Sequence, residues 1–390
     1  MRNKELLFEA QGLSTDGSEE LLSVSHLSGV GPRSEKNVTM TEAASLDGYR
    51  VVDPGDLVIN TMWAWMGALG VSRHAGIVSP AYGVYRPRPT APFEPRFFDH
   101  LYRSTEYVME MTRVSRGIWS SRLRIYPEVF LRMAVPVPPL DEQRAIADYL
   151  DRETARIDTL IEEQQRLIEM LRERRAAVIA GEFEAPATGR LRYAIQFAQT
   201  GPFGTQLSAE EYVEDGISVV NPTHIKRGAI TPDAMISVTP EKAAELRRHQ
   251  LEVGDIVLGR KGEVDKSALV SEAEAGYICG SDSMLLRPRE DVDPSYLWWF
   301  FQSPESHSQL EQWSVGSTVA GLNQTTISRI VLPLPSVVEQ RRTAQHLDEQ
   351  IAKTDALIAE TERFIEIARE RRSALITAAV TGQMDVGEVA

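Results

Sequence analysis

Two stretches of the chain carry apolar residues at steps of three, four or seven. Residues 142–180 hold Ile146, Leu150, Ile157, Ile161, Ile168, Leu171 and Val178; residues 339–377 hold Leu347, Ile351, Ile358, Ile365, Ala368 and Leu375. Neither stretch contains an internal Gly or Pro. The spacing predicts two long amphipathic helices with a coiled-coil stripe. At 1.5 Å per residue, about 39 residues give a rod of roughly 58 Å. Pro136 and Pro138 precede the first helix, and Pro333 and Pro335 the second, which blocks an earlier start. Ser336 and Glu339 form a capping-box pattern at the second start. The Arg-Glu-Arg-Arg runs at 172–175 and 369–372 are placed in the last turns, where the helix dipole favours cations.

Elsewhere the pattern is shorter and mixed. Asp255-Ile256-Val257-Leu258 and Ser283-Met284-Leu285-Leu286 predict strands. The aromatic clusters Phe97-Phe98-Tyr102 and Trp298-Trp299-Phe300-Phe301 follow an acidic-Pro start and predict short helices. The stretch Leu57 to Val71 is too short and too interrupted, at Asn60 and Thr61, to span a membrane, and is expected to be core. Gly181 to Arg190 is expected to be a linker. The expected fold class is α+β: two mixed α/β domains alternating with two long helices that carry a coiled-coil stripe.

The chain also repeats itself. Aligned without gaps, 135–179 and 332–376 are identical at 22 of 45 positions, including Glu142/Glu339, Gln143/Gln340, Leu150/Leu347 and Asp158/Asp355. The regions before each repeat are alike only in places. Pro54-Gly55-Asp56-Leu57-Val58 answers Val253-Gly254-Asp255-Ile256-Val257, and Tyr85-Arg86-Pro87 answers Leu286-Arg287-Pro288. The order is therefore diverged domain, repeated helix, diverged domain, repeated helix. The boundaries are expected at 1–134, 135–182, 183–331 and 332–390.

Composition narrows the function. The 390 residues are 42% hydrophobic and 25% charged, a globular balance. Cys279 is the one cysteine, which excludes an intramolecular disulfide framework and any multi-cysteine metal site, and fits a reducing cytoplasm. The N-terminus, MRNKELLFEAQ, lacks the apolar core of a signal peptide. No enzyme signature holds. Gly262 to Ser267 has Asp where a phosphate-binding loop needs Gly, and no Gly-x-Gly-x-x-Gly or His-Glu-x-x-His occurs. Asn221-Pro222-Thr223-His224 lacks the aromatic that would hold a flipped base. Asp56 and Asp255 each follow a Gly at matching positions, which reads as a repeated strand-entry turn rather than a catalytic pair. The histidines have no metal-ligand spacing.

The net charge of −14 argues against a uniformly basic nucleic-acid binder. Local charge is different. Arg96 to Val135 carries seven Arg against four acidic residues, a net of +3. Within it Arg113, Arg116, Trp119, Arg122 and Arg124 mix guanidinium groups with one aromatic, a combination suited to phosphates and base edges. The second half offers Lys226, Arg227, Arg260, Lys261 and Lys266, and a polar loop containing Ser317 and Asn323. Each set is equally open to being a solvated surface.

The Pro-x-Pro-x-x-x-Glu-Gln-Arg start, the Leu150-Asp151, Asp158 and Leu160-Ile161 positions and the Arg-rich end resemble the helical spacers of type I restriction–modification specificity subunits. So do Gly316-Ser317-Thr318 with Leu322-Asn323, and Thr381-Gly382 after the second helix. The resemblance implies two target-recognition domains, each reading one half of a split double-stranded DNA target, and two long helices that pair as an antiparallel coiled coil between them. It implies a spacer that docks two adenine-methyltransferase subunits, with restriction subunits completing the complex. It implies no catalysis by this chain and no cofactor bound to it. S-adenosylmethionine, ATP and Mg are expected on the partners, and no membrane is involved. The spacer residues expected to serve the partners are Glu142, Gln143, Leu150, Asp158 and Ile161, with Glu339, Gln340, Leu347, Asp355 and Ile358. The chain departs from the family pattern at its start. The second domain opens with Leu191-Arg192-Tyr193 and Gly201-Pro202-Phe203-Gly204, and the first shows no clear counterpart before Ser23. The alternatives are a specificity subunit for a fused methyltransferase–nuclease system, a coiled-coil scaffold that reads no sequence, and a DNA methyltransferase or nuclease in its own right.

Overall fold

The computed structural model describes residues 1–35, 45–117, 123–226, 228–260, 266–314 and 322–386. The chain forms two compact units. One joins Met1–Gln165 to Glu362–Ala390; the other is Arg166–Thr361. The units therefore divide each long helix near its middle, whereas the segments expected from the repeat follow the helix ends.

In the first unit a central antiparallel sheet is built from β1 (Leu7–Glu9), β2 (Leu57–Ile59), β3 (Leu69–Val71) and β4 (Gly83–Pro87), in the order β1-β4-β2-β3. Leu57 pairs with Tyr85 and Ile59 with Gly83 across β2 and β4. Side chains alternate between faces, as the strand period requires. Leu57, Ile59, Leu69 and Tyr85 join the core that holds Phe97, Phe98 and Tyr102 of α1 (Pro95–Arg103). Val58 and Val84 join Leu22, Val24 and Val52 on the other side. Both faces are covered, which explains a continuous apolar run at these strands.

The second unit has the same sheet. Its strands are β5 (Ile195–Thr200), β6 (Ile256–Gly259), β7 (Ser267–Leu269) and β8 (Ser283–Pro288), in the order β5-β8-β6-β7. Ile256, Leu258, Met284 and Leu286 face the core with Tyr296 and Phe300 of α3 (Pro294–Phe301). Val257, Ala268 and Leu285 face a second cluster with Val220 and Cys279. The missing N-terminal counterpart is now visible. β1 pairs with β4 just as β5 pairs with β8, although their sequences are unlike.

The long helices are α2 (Leu140–Glu182) and α4 (Val337–Val380). Their 43 and 44 residues correspond to about 65 Å each. The expected capping box is formed: Ser336 N–H donates to Glu339 Oε2 at 3.0 Å, and Glu339 N–H donates to Ser336 Oγ at 3.4 Å. Within the first unit the start of α2 packs with the end of α4, Ala147 and Leu150 sharing a core with Ala379 and Val380. Within the second unit Ile179 shares a core with Ala344, Leu347 and Ile351. The packing is antiparallel in both.

Two expectations change. Neither helix has a basic residue in its last turn, because both run beyond the Arg-Glu-Arg-Arg runs. The dipole fades within a turn, so it does not account for these cations. One arginine of each run reaches the facing helix instead. Arg372 Nε donates to Asp158 Oδ1 at 2.8 Å in the first unit, and Arg175 Nε to Asp355 Oδ1 at 3.2 Å in the second. The expected linker is also structured. Phe183 is buried, and Gly189–Arg190 pairs with Val331–Leu332.

Each α/β body is fastened to its helix by one buried glutamine. Gln143 Nε2 donates to the carbonyls of Pro92 (3.0 Å) and Pro138 (2.8 Å), and its Oε1 accepts from Glu94 N–H at 3.0 Å. Gln340 Nε2 donates to Pro335 O at 2.9 Å, and its Oε1 accepts from Asp293 N–H at 2.9 Å. Removing either side chain strands buried backbone groups, each costing about 1–3 kcal/mol. Gln143→Ala and Gln340→Ala are therefore expected to lower stability by at least about 1 kcal/mol in denaturant unfolding. The exposed neighbour Glu142→Ala should stay within about 0.5 kcal/mol. Equal effects from all three would remove the glutamines from this role.

Candidate nucleic-acid interface

The sheets present one hairpin tip each. In the first unit the connection from β2 to β3 is the turn Asn60–Ala68, closed by Asn60 N–H to Ala68 O at 3.0 Å. In the second, β6 and β7 are joined through Arg260 to Lys266, with Gly259 N–H donating to Lys266 O at 2.8 Å. A loop returning toward the spacer touches each tip at the same place. Ile125 N–H donates to Thr61 O at 3.0 Å, and Leu322 N–H donates to Arg260 O at 2.9 Å. Ile125 and Leu322, which follow the Arg-rich and the Gly-Ser-Thr stretches singled out by composition, thus make equivalent contacts.

The expected site residues divide unevenly. Arg116 and Arg124 pair backbone to backbone, each N–H donating to the other's carbonyl at 2.9 Å, and both side chains are exposed at the base of their loop. Arg113 ends the preceding helix, Thr105–Val114, and is held by Glu110 at 2.6 and 2.7 Å. That pairing pulls the Glu110 carboxyl below the usual carboxylate range. Arg260 is tied inward: its Nε donates to Leu322 O at 3.0 Å, so its guanidinium positions the loop. Asn323 caps the helix Gln324–Arg329 by accepting from Thr326 N–H at 3.0 Å. Lys226 is exposed on the small hairpin Ile225–Lys226/Ala229–Ile230, and Lys266 is half-buried. Trp119, Arg122, Arg227, Lys261 and Ser317 lie outside the described residues.

On the spacer the structure sorts the expected partner residues. Gln143, Gln340, Leu150, Leu347, Ile161 and Ile358 are buried, placed inside the fold rather than on a surface. Glu142 and Glu339 are exposed, and Asp158 and Asp355 hold the cross-helix arginines. Sequence reasoning missed the apolar residues that do face solvent. Among them are Leu160 (45%), Phe364 (44%) and Ile367 (54%) in the first unit, and Leu357 (51%) and Met170 (58%) in the second. Leu160 and Leu357 are identical repeat positions, as are the pair Met170 and Ile367 in place, so an exposed apolar step recurring at the repeat offset was the available signal.

The repeated Gly-Asp turn is structural. Asp56 and Asp255 are each 1% exposed. Arg86 grips Asp56 with Nε to Oδ1 at 3.0 Å and Nη2 to Oδ2 at 2.8 Å, and also pairs with Asp53. Arg287 grips Asp255 at 2.8 Å through both nitrogens and Glu252 at 2.6 Å. The paired carboxylates raise the pKa of both guanidinium groups. Gly55 and Gly254 supply the turn at φ +95° and +88°, a region unfavourable to residues with a Cβ. This lock sits at the end of β2 and β6 opposite the tip. It ties the start of β2 to β4 and the start of β6 to β8. The Asn221 run is likewise a capped turn, with His224 buried and its Nδ1 3.0 Å from Val219 O.

A family model described as the type I restriction modification DNA specificity domain matches residues 204–366. The match takes in less than half of the chain, so it marks a similarity to that family. The StySPI specificity subunit of Salmonella potsdam is 28% identical over 178 residues, 44% of this chain and 37% of that subunit. The EcoKI specificity subunit of Escherichia coli is 21% identical over 85% of this chain and 75% of its own length. The match to the first thus spans little more than a third of that relative. In fold, a chain from a solved type I restriction–modification assembly superposes with a TM-score of 0.74 at 16% identity, covering 97% of this chain and 96% of that one. The HsdS subunit from Thermoanaerobacter tengcongensis gives 0.55 at 16% identity, covering 98% and 96%. The family match runs from the opening loop of the second α/β body into α4, so it takes in the second hairpin tip. No helix among the described residues is long and apolar enough to cross a membrane.

Breaking a buried ion pair leaves an uncompensated group, at a cost of about 3–5 kcal/mol. Asp56→Asn and Asp255→Asn should each cost about 3 kcal/mol, the low end, because both arginines keep some solvent. The check is a urea midpoint for each variant against wild type; unchanged midpoints would remove the lock from the argument.

Proposed function

We propose that the chain is the non-catalytic DNA-reading subunit of a type I restriction–modification complex. Each unit reads one half of a bipartite double-stranded target with its hairpin tip and adjoining loop. The observation that carries this is the duplication itself: the same four-stranded sheet, Asp–Arg lock and tip-to-loop contact occur twice, with different residues at each tip. A common scaffold with variable tips suits two different base sequences. Base-edge contacts would specify, and Arg and Lys contacts to phosphate would position.

In this reading the spacer docks two methyltransferase subunits, and restriction subunits complete the assembly. S-adenosylmethionine, ATP and Mg belong to those partners. The exposed apolar pairs, Leu160 with Ile367 in one unit and Leu357 with Met170 in the other, support two equivalent docking surfaces.

Two measurements test this. Adenine methylation mapped across the host genome should show one split motif that disappears when the gene is deleted. Replacing 190–331 by another reader should change one half of that motif only; changes in both halves would defeat the two-reader design. For docking, Leu160→Glu with Ile367→Glu should reduce the methyltransferase stoichiometry of the purified complex from two to one. Full assembly of that variant would move the docking surface elsewhere.

A further inference from the structure

The turn between β2 and β3 holds three apolar side chains in solvent. Met62, Trp63 and Met66 are 44, 52 and 39% exposed. Single exposed apolar residues are ordinary, but three within five positions mark an interaction surface. The sequence pattern assigned this stretch to the core, and its flanks and Ala64 are indeed buried; Met62, Trp63 and Met66 are not.

The tip is firmly built. Trp63 N–H donates to Asn60 O at 3.0 Å, and Trp63 O accepts from Met66 N–H at 3.0 Å and Ala68 N–H at 3.1 Å. Trp65 Nε1 donates to Met62 O at 3.0 Å, and Thr112 Oγ1 donates to Trp65 O at 3.2 Å. Gly67 turns the chain at φ +84°. A projection ordered in advance loses little entropy on contact.

The surroundings select the occupant. Thr61, next to Met62, accepts from Ile125, next to Arg124, which pairs with Arg116. Neither arginine has an ion pair among the described residues. An apolar wedge flanked by uncompensated guanidinium groups matches a base stack between two phosphate strands. The corresponding tip of the second unit, Arg260 to Lys266, contains no aromatic residue. We propose that Trp63, supported by Met62 and Met66, stacks against a nucleobase of the half-site that the first unit reads, while Arg116 and Arg124 hold the flanking phosphates. This rests on the DNA-reading function above.

The test uses the full chain assembled with its methyltransferase subunits, on the duplex recovered from a randomised library by the wild-type complex. Trp63→Ala should weaken binding about ten- to a hundred-fold, the range for losing one stacked base. Trp63→Phe should recover most of it. The salt dependence should be unchanged in both, because no charge is removed. Arg116→Ala should instead lower the salt slope by about one. A 2-aminopurine scanned through the half-site should report one position whose fluorescence changes on wild-type binding and not on binding of Trp63→Ala. Wild-type affinity for Trp63→Ala overturns the inference and leaves DNA reading intact. Loss of methyltransferase assembly in Trp63→Ala, with duplex binding unaltered, overturns it in favour of a protein contact. A wild-type complex that selects no duplex overturns both readings.

Discussion

The structure depends on how an α/β body is held to a long helix. A helix of over forty residues has little fold of its own beyond the faces it buries. One glutamine side chain at each junction binds the Pro-rich entry and the backbone just before the short aromatic helix. Other contacts continue the seam: Arg96 reaches Asp148 at 2.7 Å and His100 reaches Asp151 at 2.9 Å in one unit, and Trp299 Nε1 donates to Asp348 at 2.8 Å in the other. Asp151 and Asp348 are repeat equivalents, yet one meets an imidazole and the other an indole. The helix side of the junction is kept while the domain side varies.

The same division of labour runs through each sheet. At one end of the central hairpin a buried aspartate is gripped by an arginine from the neighbouring strand. At the other end the tip carries residues that differ completely between units. A rigid base lets the exposed positions of the first tip, Met62, Trp63 and Met66, change without disturbing the core, whereas Ala64 is held in it. The cross-helix arginines act similarly. They tie facing turns inside each unit, while Leu160 and Ile367 in one unit and Leu357 and Met170 in the other stay exposed.

Much of this was legible in the linear pattern, for physical reasons. The helices follow from apolar spacing, and their starts from proline and the Ser336–Glu339 box, because these act over a few residues. The strands at 256–259 and 283–288 follow from short apolar runs with both faces buried. The Gly-Asp turn was recognisable because it recurs. The family resemblance rested on the same local motifs, and a matching specificity-domain model and similar solved folds agree with it.

What the sequence left open were properties of residues far apart along the chain. Gln143 looked like a surface helix residue until Pro92 and Glu94, about fifty positions earlier, closed over it. The Arg-rich runs looked like dipole partners until facing helices brought in Asp158 and Asp355. Leu57 to Val71 read as one apolar stretch, but only strand pairing shows that its middle turns outward and exposes Trp63. β1 had no visible sequence counterpart, because its place is set by backbone pairing with β4 and not by side-chain identity. By itself the sequence determined the repeated helix and strand plan, since short-range periodicity and turn chemistry encode it. Only the tertiary structure decided which polar groups are buried hooks and which apolar groups face solvent, because burial depends on what long-range packing brings alongside.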